Sequence, residues 1–283
     1  MANRSKRFHL AAIGVVALGA CDRPEVLVIC HNGNCVEPTK PENDDTIPAL
    51  RESLALQIGG LPAIDGTEID SFWRASDGVC LFAHDLDGER ATLIDEAAAE
   101  LAAHITSGNQ LTHAPGSPFR ILFELKAHVG VAKSERHTPE QRVLHAQCAW
   151  RVYDTIATAA ATSGQNVEFV FSSFEPKLLA DVIAQTPLLT PIAYKFDAIY
   201  GIPKPLDSET RPLGDYAGLP ITIVEIHPQW IHDAQYEAIL SSDVELLFWM
   251  FSATTETFAA IEQYEPEMVV TSEASLMRRW LER

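Results

Sequence analysis

Eight short apolar runs rich in β-branched residues alternate along this chain with longer stretches whose apolar residues recur at helical spacing. This alternation predicts parallel strands joined by helices, because a parallel connection must return to the same end of the sheet. Eight units in about 250 residues are the size of a closed (β/α)8 barrel. The predicted fold is therefore α/β, a single TIM-type barrel. A doubly wound open sheet fits the same alternation and stays the alternative.

The predicted strands and helices have definite bounds. The strands are Val26–Cys30, Ile64–Asp70 extended by Val79–Ala83, Ile121–Leu125, Val167–Ser172, Leu189–Tyr194, Ile221–Ile226, Val244–Met250 and Met268–Thr271. The helices are Ile47–Gln57, Ile94–Thr106, Pro139–Thr162, Pro176–Ala184, Ala234–Leu240, Thr254–Tyr264 and Ala274–Leu281. In a barrel, all parallel strands end at one mouth, where this fold carries its active sites.

The first residues have the pattern of a secretory leader. Basic residues precede an apolar run over positions 10–20 that is too short to span a bilayer comfortably. The segment Leu18-Gly19-Ala20-Cys21 resembles a bacterial lipobox, so we predict a signal peptide over residues 1–20 and lipid modification of Cys21. An ordinary cleaved signal peptide is the alternative. The first prediction makes the protein a membrane-anchored lipoprotein facing the periplasm or cell exterior, with residues 21–283 as one barrel domain.

The charge balance limits the possible partners. The chain has 39 acidic and 21 basic residues, a formal net charge of −18. Such a charge repels the phosphates of nucleic acid, which we therefore do not expect as a partner. It also repels any other anionic substrate, so a phosphate site needs local positive charge. A divalent cation and a lysine could supply that charge.

Four cysteines follow the lipobox, namely Cys30, Cys35, Cys80 and Cys148. Disulfides are chemically permitted in an exported chain, and four cysteines allow three complete pairings. A bridge from Cys30 to Cys35, or from Cys30 to Cys80, could brace the loop after the first strand. Buried free thiols are the alternative. The sequence contains no CxxC or Cys/His spacing typical of a zinc site.

Ionisable residues gather where the first three predicted strands end. They are His31 after the first strand, Glu68 and Asp70 in the second, His84 after its extension, and Glu124 and Lys126 at the end of the third. Strand side chains alternate between faces, so Glu68 and Asp70 point the same way, as do Glu124 and Lys126 if the third strand continues that far. Carboxylates brought together repel one another unless a cation is present. Calcium or magnesium suits such oxygen ligands.

The two histidines have the chemistry to act beside such a cation. Imidazole titrates near neutral pH, so His31 and His84 could serve as general base and general acid at a phosphate. Lys126 would add a point charge for the phosphoryl oxygens. His227, after the sixth predicted strand, is the other histidine in a position typical of site residues.

This series of motifs resembles the glycerophosphodiester phosphodiesterase family. The motifs are His31-x-Gly33, Pro41-Glu42-Asn43, Glu68-x-Asp70, His84-Asp85 and Glu124-x-Lys126, with weaker similarity at Ser173-Phe174, Trp249 and Thr271. The resemblance covers nearly the whole mature chain. It implies a barrel that hydrolyses glycerophosphodiesters to sn-glycerol 3-phosphate and an alcohol with a divalent cation. It also implies site roles: His31 and His84 as the acid–base pair, Glu68, Asp70 and Glu124 as metal ligands, Lys126 beside the phosphate, and Glu42 as a further ligand bordering the metal.

Three positions depart from the family pattern. Asn32 stands where the family has an arginine that contacts phosphate, so we assign Asn32 to substrate binding without a bidentate donor. The His-Asn pair is similar instead to calcium-dependent phosphoinositide phospholipases C, in which the asparagine helps bind the metal. The stretch after His84 lacks the family's larger inserted cap, which predicts a more open site. Ser272-Glu273 replaces a family aspartate, and we interpret this as structural drift.

The sequence leaves two alternative functions open. Asn32 motivates a non-catalytic barrel lipoprotein that binds a phosphorylated ligand without turnover. A membrane anchor and an open site motivate a phospholipase C- or D-like enzyme that acts on intact lipids. Exposed aromatic residues around the mouth would favour the second alternative. Phe72 and Trp73 are the candidates for such residues, unless they pack in the core.

Overall fold

The structure of the protein, a computed structural model, describes residues 26–37, 39–84, 92–126, 137–185, 192–196, 219–231, 233–250 and 252–283. The predicted signal peptide, Cys21 and Asp85 lie outside the described residues. Within these ranges, no helix combines the length and the apolar character that a membrane span requires.

Eleven strands and seven α-helices occur in the described residues. The strands are β1 (Leu27–Cys30), β2 (Gln57–Ile58), β3 (Leu61–Pro62), β4 (Gly66–Arg74), β5 (Val79–Phe82), β6 (Phe119–Leu125), β7 (Val167–Ser173), β8 (Ile192–Phe196), β9 (Ile223–Ile226), β10 (Glu245–Met250) and β11 (Met268–Thr271). The helices are α1 (Ile47–Leu54), α2 (Ile94–Thr106), α3 (Pro139–Ser163), α4 (Pro176–Gln185), α5 (Asp233–Leu240), α6 (Thr255–Tyr264) and α7 (Ala274–Leu281).

Eight of these strands close into a parallel barrel. They follow one another around it in the order β1, β4, β6, β7, β8, β9, β10 and β11, and each adjacent pair is parallel. The first strand completes the ring, because Ile29 pairs with Gly66 of β4 on one side and with Val270 of β11 on the other. The prediction of a (β/α)8 barrel is confirmed, and the open doubly wound sheet is wrong.

Alternate strand residues fill the inside of this barrel. Leu27, Ile29, Leu122, Val170, Ile223, Leu247, Met268 and Val270 form one buried cluster, with Trp249 packed against it. The larger core lies between the strands and the surrounding helices. Gly66 lets strands approach closely, because an added Cβ there would lie only 2.0 Å from the carbonyl oxygen of Arg120 and 2.8 Å from Ile29 Cδ1. On each barrel strand, the residues that point inward are therefore two positions apart in the sequence.

Two details differ from the predicted elements. Val79–Phe82 is not an extension of the second barrel strand: it turns back and pairs antiparallel with the outer half of β4, from Ser71 to Arg74. The reason is the turn between them, where Gly78 adopts a φ of +71°. Helix α1 ends at Leu54 rather than at Gln57, because Gln57–Ile58 forms a small antiparallel hairpin with Leu61–Pro62.

Ion pairs lie at the end of the barrel where the strands begin. Asp65 precedes β4, and its carboxylate accepts hydrogen bonds from the backbone N–H of Val28 and His113 and from the Arg278 guanidinium of α7. Arg120 in β6 pairs with Glu168 at 2.5 Å and with Glu245 at 2.5 Å. These contacts tie neighbouring strands and the last helix together at the amino-terminal end.

Candidate active site and metal centre

Three carboxylates meet at the opposite end, where the strands finish. Glu68 and Asp70 lie on β4, Glu124 lies on β6, and Asp70 is directly in register with Glu124. They continue the inward-facing rows of the barrel core, and all three side chains are fully buried. One carboxylate oxygen from each lies within 4.8 Å of the others. Strand parity and parallel pairing therefore bring the predicted ligands together.

Lys126 joins the same group from the residue that follows β6. Its Nζ lies 2.8 Å from Glu124 Oε1 and 3.1 Å from Asp70 Oδ2. The ammonium is itself mostly buried, so water screens these interactions less than it would at the surface. One lysine partly balances three carboxylates, and the group retains an excess of negative charge.

His31 lies beside these carboxylates and is held from two directions. Its Nε2 is 3.8 Å from Glu68 Oε2, and its Nδ1 is 3.1 Å from the Ser272 hydroxyl after β11. Contact with the hydroxyl on one nitrogen orients the other toward the centre of the mouth. The position that we interpret as structural drift, Ser272, is therefore in contact with a predicted catalytic histidine.

The loop after His31 is compact and cross-linked. A disulfide joins Cys30 to Cys35, with a Cα separation of 5.7 Å, and a second joins Cys80 of β5 to Cys148 of α3. Asn32 inside the first loop is buried and adopts a left-handed conformation with φ of +48°. Its Oδ1 has no hydrogen-bond partner among the described residues. This oxygen is therefore available to a substrate or cation.

His84 approaches the group along β5. The backbone N–H of Ala83 donates to the Asp70 carbonyl at 3.2 Å, so that His84 follows directly beside a predicted ligand. Its side chain is exposed, in contrast to that of His31. The two predicted acid–base residues therefore differ in exposure: His31 is buried and contacts Ser272, whereas His84 is exposed to solvent.

The structure does not bring Glu42 into the carboxylate group. Its side chain is exposed on the short helical turn Pro41–Asn43. The buried acid of this loop is Asp45, whose backbone N–H donates to the Asn32 carbonyl at 3.0 Å. The assignment of Glu42 as a further ligand is corrected accordingly. The turn leaves Glu42 facing solvent and carries the chain inward three residues later.

Glu225 is a further buried acid at the mouth that sequence reasoning missed. It lies on β9 two residues after Ile223, which belongs to the buried cluster inside the barrel. Its Oε2 accepts a hydrogen bond from the Ser172 hydroxyl at 2.9 Å. Ser172 follows Val170 on β7 by the same interval. A charged residue within an otherwise apolar run was the available signal.

Aromatic rings occupy the side of the mouth formed by β7, β9 and β10. His227 and Trp230 lie after β9, and both have ring centroids about 5 Å from Trp249 of β10, at 5.0 and 5.4 Å. Phe174 contacts Trp249 at 6.5 Å. These four side chains are partly exposed. Phe72 and Trp73, the aromatic residues that the sequence suggested, are instead buried in the core.

The donors of this site fit a hard divalent cation. Glu68, Asp70 and Glu124 offer only oxygen atoms, and no sulfur or imidazole belongs to the group that the structure brings together. Buried carboxylates at this spacing repel one another, and a bound cation would offset that repulsion. Calcium and magnesium prefer such oxygen sets. The residues present therefore fit the metal that the resemblance implied.

The fold can now be compared with those of known proteins. No protein-family model matches the chain, and no curated protein matches it. Solved structures do match. An Oleispira antarctica phosphodiesterase in complex with the product sn-glycerol-3-phosphate has a TM-score of 0.60 and 16% identity, and the match covers 91% of this chain and 97% of that one.

Two further solved structures have the same architecture. A glycerophosphodiester phosphodiesterase from Parabacteroides distasonis has a TM-score of 0.55 and 16% identity over 92% of this chain and 100% of its own. One from Thermotoga maritima has a TM-score of 0.51 and 17% identity over 90% and 98%. At these identities the match concerns the fold. The chain therefore has the (β/α)8 barrel of solved glycerophosphodiester phosphodiesterases, as the resemblance implied.

Proposed function

We propose that this protein is a phosphoric diester hydrolase that uses a divalent cation, calcium or magnesium, to hydrolyse glycerophosphodiesters to sn-glycerol 3-phosphate and an alcohol. One observation carries the proposal: three buried carboxylates meet within 4.8 Å at the barrel mouth, and His31 lies 3.8 Å from one of them. The named activity of solved barrels with the same fold supports it.

Each site residue has a role in this proposal. Glu68, Asp70 and Glu124 would hold the cation, which when bound neutralises charge that develops on the phosphoryl oxygens. Lys126 places a further positive charge beside Asp70 and Glu124, where the phosphoryl oxygens would bind. His31 and His84 move the protons: one accepts a proton from the attacking oxygen, and the other donates one to the departing alkoxide. Asn32 offers its buried Oδ1 and its amide to the substrate.

The proposal includes a location for the enzyme. Cys21 would carry a lipid anchor, and the barrel would act at a bacterial membrane, facing the periplasm or the cell exterior. Glycerophosphodiesters released from phospholipids would be its substrates there. The local positive charge of the cation and Lys126 would offset the net charge of −18.

A second candidate function is hydrolysis of intact lipids. The partly exposed group of His227, Trp230, Trp249 and Phe174 favours it, because aromatic side chains are suited to contact with lipid at a membrane interface. A non-catalytic lipoprotein that binds a phosphorylated ligand is the remaining alternative. It would retain the carboxylate group without turnover.

A substrate panel tests these functions directly. Glycerophosphodiesters, lysophospholipids and phosphoinositides would each be assayed with calcium, with magnesium and with EDTA. We expect turnover of glycerophosphodiesters that EDTA abolishes and an added cation restores. The Glu124→Gln variant, purified in parallel, controls for a contaminating phosphodiesterase. Turnover of intact lipids alone would favour the second candidate, and no metal-dependent turnover on any substrate would favour the binding protein.

A further inference from the structure

Asp45 is a buried acid at the barrel mouth that the proposed reaction does not use. It precedes α1 and is 2% exposed. Its backbone N–H donates to the Asn32 carbonyl at 3.0 Å, which holds it next to the residue that follows His31. The amide of Asn34 fixes the same loop by donating to the carbonyls of Glu37 and Lys40. Asp45 is therefore held in position by the loop around it.

The electrostatic setting places Asp45 within range of the site charges. Burial raises the pKa of Asp45 well above its usual range, the charge of Asp70 raises it further, and Lys126 lowers it. Glu68 interacts with it in the same way as Asp70. The compact group of three carboxylates does not include Asp45. Asp45 would therefore influence a cation without being one of its three carboxylate ligands.

Two buried oxygens in this loop lack a donor. Asp45 Oδ1 and Asn32 Oδ1 have no hydrogen-bond partner among the described residues. Leaving a buried acceptor unsatisfied is unfavourable, so a native site usually provides a donor. Water bound to a cation carries two donor hydrogens, and calcium sites commonly include a carboxylate that reaches the ion through water. These two acceptors match that requirement.

We propose that Asp45 is a positioning residue of the cation site, which together with Asn32 holds a water ligand of the cation and so increases the affinity for calcium. The inference rests on one part of the proposed function, namely that Glu68, Asp70 and Glu124 bind a divalent cation. Outer partners of metal ligands typically contribute about 10–100-fold to metal affinity. A bound cation would also favour the ionised form of Asp45, because a nearby positive charge lowers the pKa of a carboxyl group.

Calcium binding to the purified full chain, measured by isothermal titration calorimetry, tests this role. The Asp45→Asn variant removes the charge and keeps a side chain that tolerates the left-handed backbone at φ of +57°. We expect its affinity for calcium to fall roughly tenfold or more. Asp45→Gly removes the whole side chain at a conformation that glycine adopts freely, and should bind calcium at least as weakly.

A matched control and a second measurement separate this role from a structural one. Asp77→Asn removes the same charge from the exposed turn after β4, where Asp77 pairs with Arg74, and should bind calcium like the wild type. In EDTA, Asp45→Asn should have a thermal midpoint close to that of the wild type, because burial favours the neutral carboxyl form and the amide has nearly the same shape. A lower midpoint with unchanged calcium affinity would overturn the inference.

The two proposals fail in different ways. If the wild type binds calcium and both Asp45 variants bind it within about twofold of the wild type, the inference is wrong and the proposed function stands. If the wild type binds neither calcium nor magnesium, the proposed metal site is wrong and the inference fails with it.

Discussion

The two ends of the barrel arrange charge in opposite ways. At the amino-terminal end, Asp65 bonds to Arg278 and Arg120 bonds to Glu168 and Glu245, so cations and anions are directly paired. At the mouth, the buried acids outnumber the nearby cation Lys126: they are Asp45, Glu68, Asp70, Glu124 and Glu225. The first end is arranged for stability. The second accumulates negative charge, which a bound cation would balance.

This difference shows how a parallel barrel separates residues that stabilise the fold from residues of the site, because the two groups lie at opposite ends of the strands. Every strand begins at one end and finishes at the other, so residues a few positions apart on one strand serve different purposes. Asp65 immediately precedes β4 and ties three segments together, whereas Asp70 on the same strand joins the carboxylate group. Substitutions at the mouth should reduce activity, and substitutions at the other end should reduce stability.

The largest expected effect is on turnover, from the predicted acid–base pair at the mouth. His31→Ala and His84→Ala should each lower kcat by roughly 10²–10⁴-fold, because each removes a group that transfers a proton. Calcium binding and the unfolding midpoint should stay close to wild type. Steady-state kinetics with calorimetry would check both. Near-normal hydrolysis by either variant would show that the assigned role of that histidine is wrong.

An effect of several kcal/mol, on stability alone, is expected at the opposite end. Asp65→Ala leaves the Arg278 guanidinium buried without its carboxylate and removes the acceptor of two backbone N–H groups. Breaking such a buried pair costs about 3–5 kcal/mol. Denaturant unfolding would measure the loss, while kcat per folded molecule should not change. A loss of kcat without a loss of stability would contradict the division between the two ends.

The two disulfides should differ from each other in opposite directions for stability and for activity. They close loops with sequence separations of 68 and 5 residues. Chain entropy predicts losses of about 4 kcal/mol for Cys80→Ser with Cys148→Ser, and about 2 kcal/mol for Cys30→Ser with Cys35→Ser. Only the second pair encloses His31 and Asn32, so only it should lower turnover, by several-fold. If the first pair lowered turnover more, the bridge near His31 would not be the one that supports the site.

Much of the architecture could be predicted from the sequence. The sequence predicts the bounds of all eight barrel strands to within four residues, because apolar runs between amphipathic helices have a strong periodic signal. Strand parity likewise placed Glu68, Asp70 and Glu124 on inward positions. The direction of Val79–Phe82 could not be predicted, because an apolar run does not show whether a chain continues or turns back.

The parts of the site that lie in loops were harder to predict from the sequence. Glu42 matched a motif but is exposed, whereas Asp45 matched none and is buried. Ser272 was dismissed, although it contacts His31 across a sequence distance of 241 residues. Loop conformation depends on turns, caps and contacts with distant segments, and none of these has a regular period in the sequence.

Periodicity and strand parity are local properties of the chain, so the sequence predicts the alternating strands and helices and identifies the three carboxylates at the strand ends. Packing between segments far apart in sequence sets the rest. It closes the sheet into a barrel, selects the loop residues at the mouth, pairs the four cysteines and holds His31 in place. The closure of β1 against β11 brings Ser272 to His31.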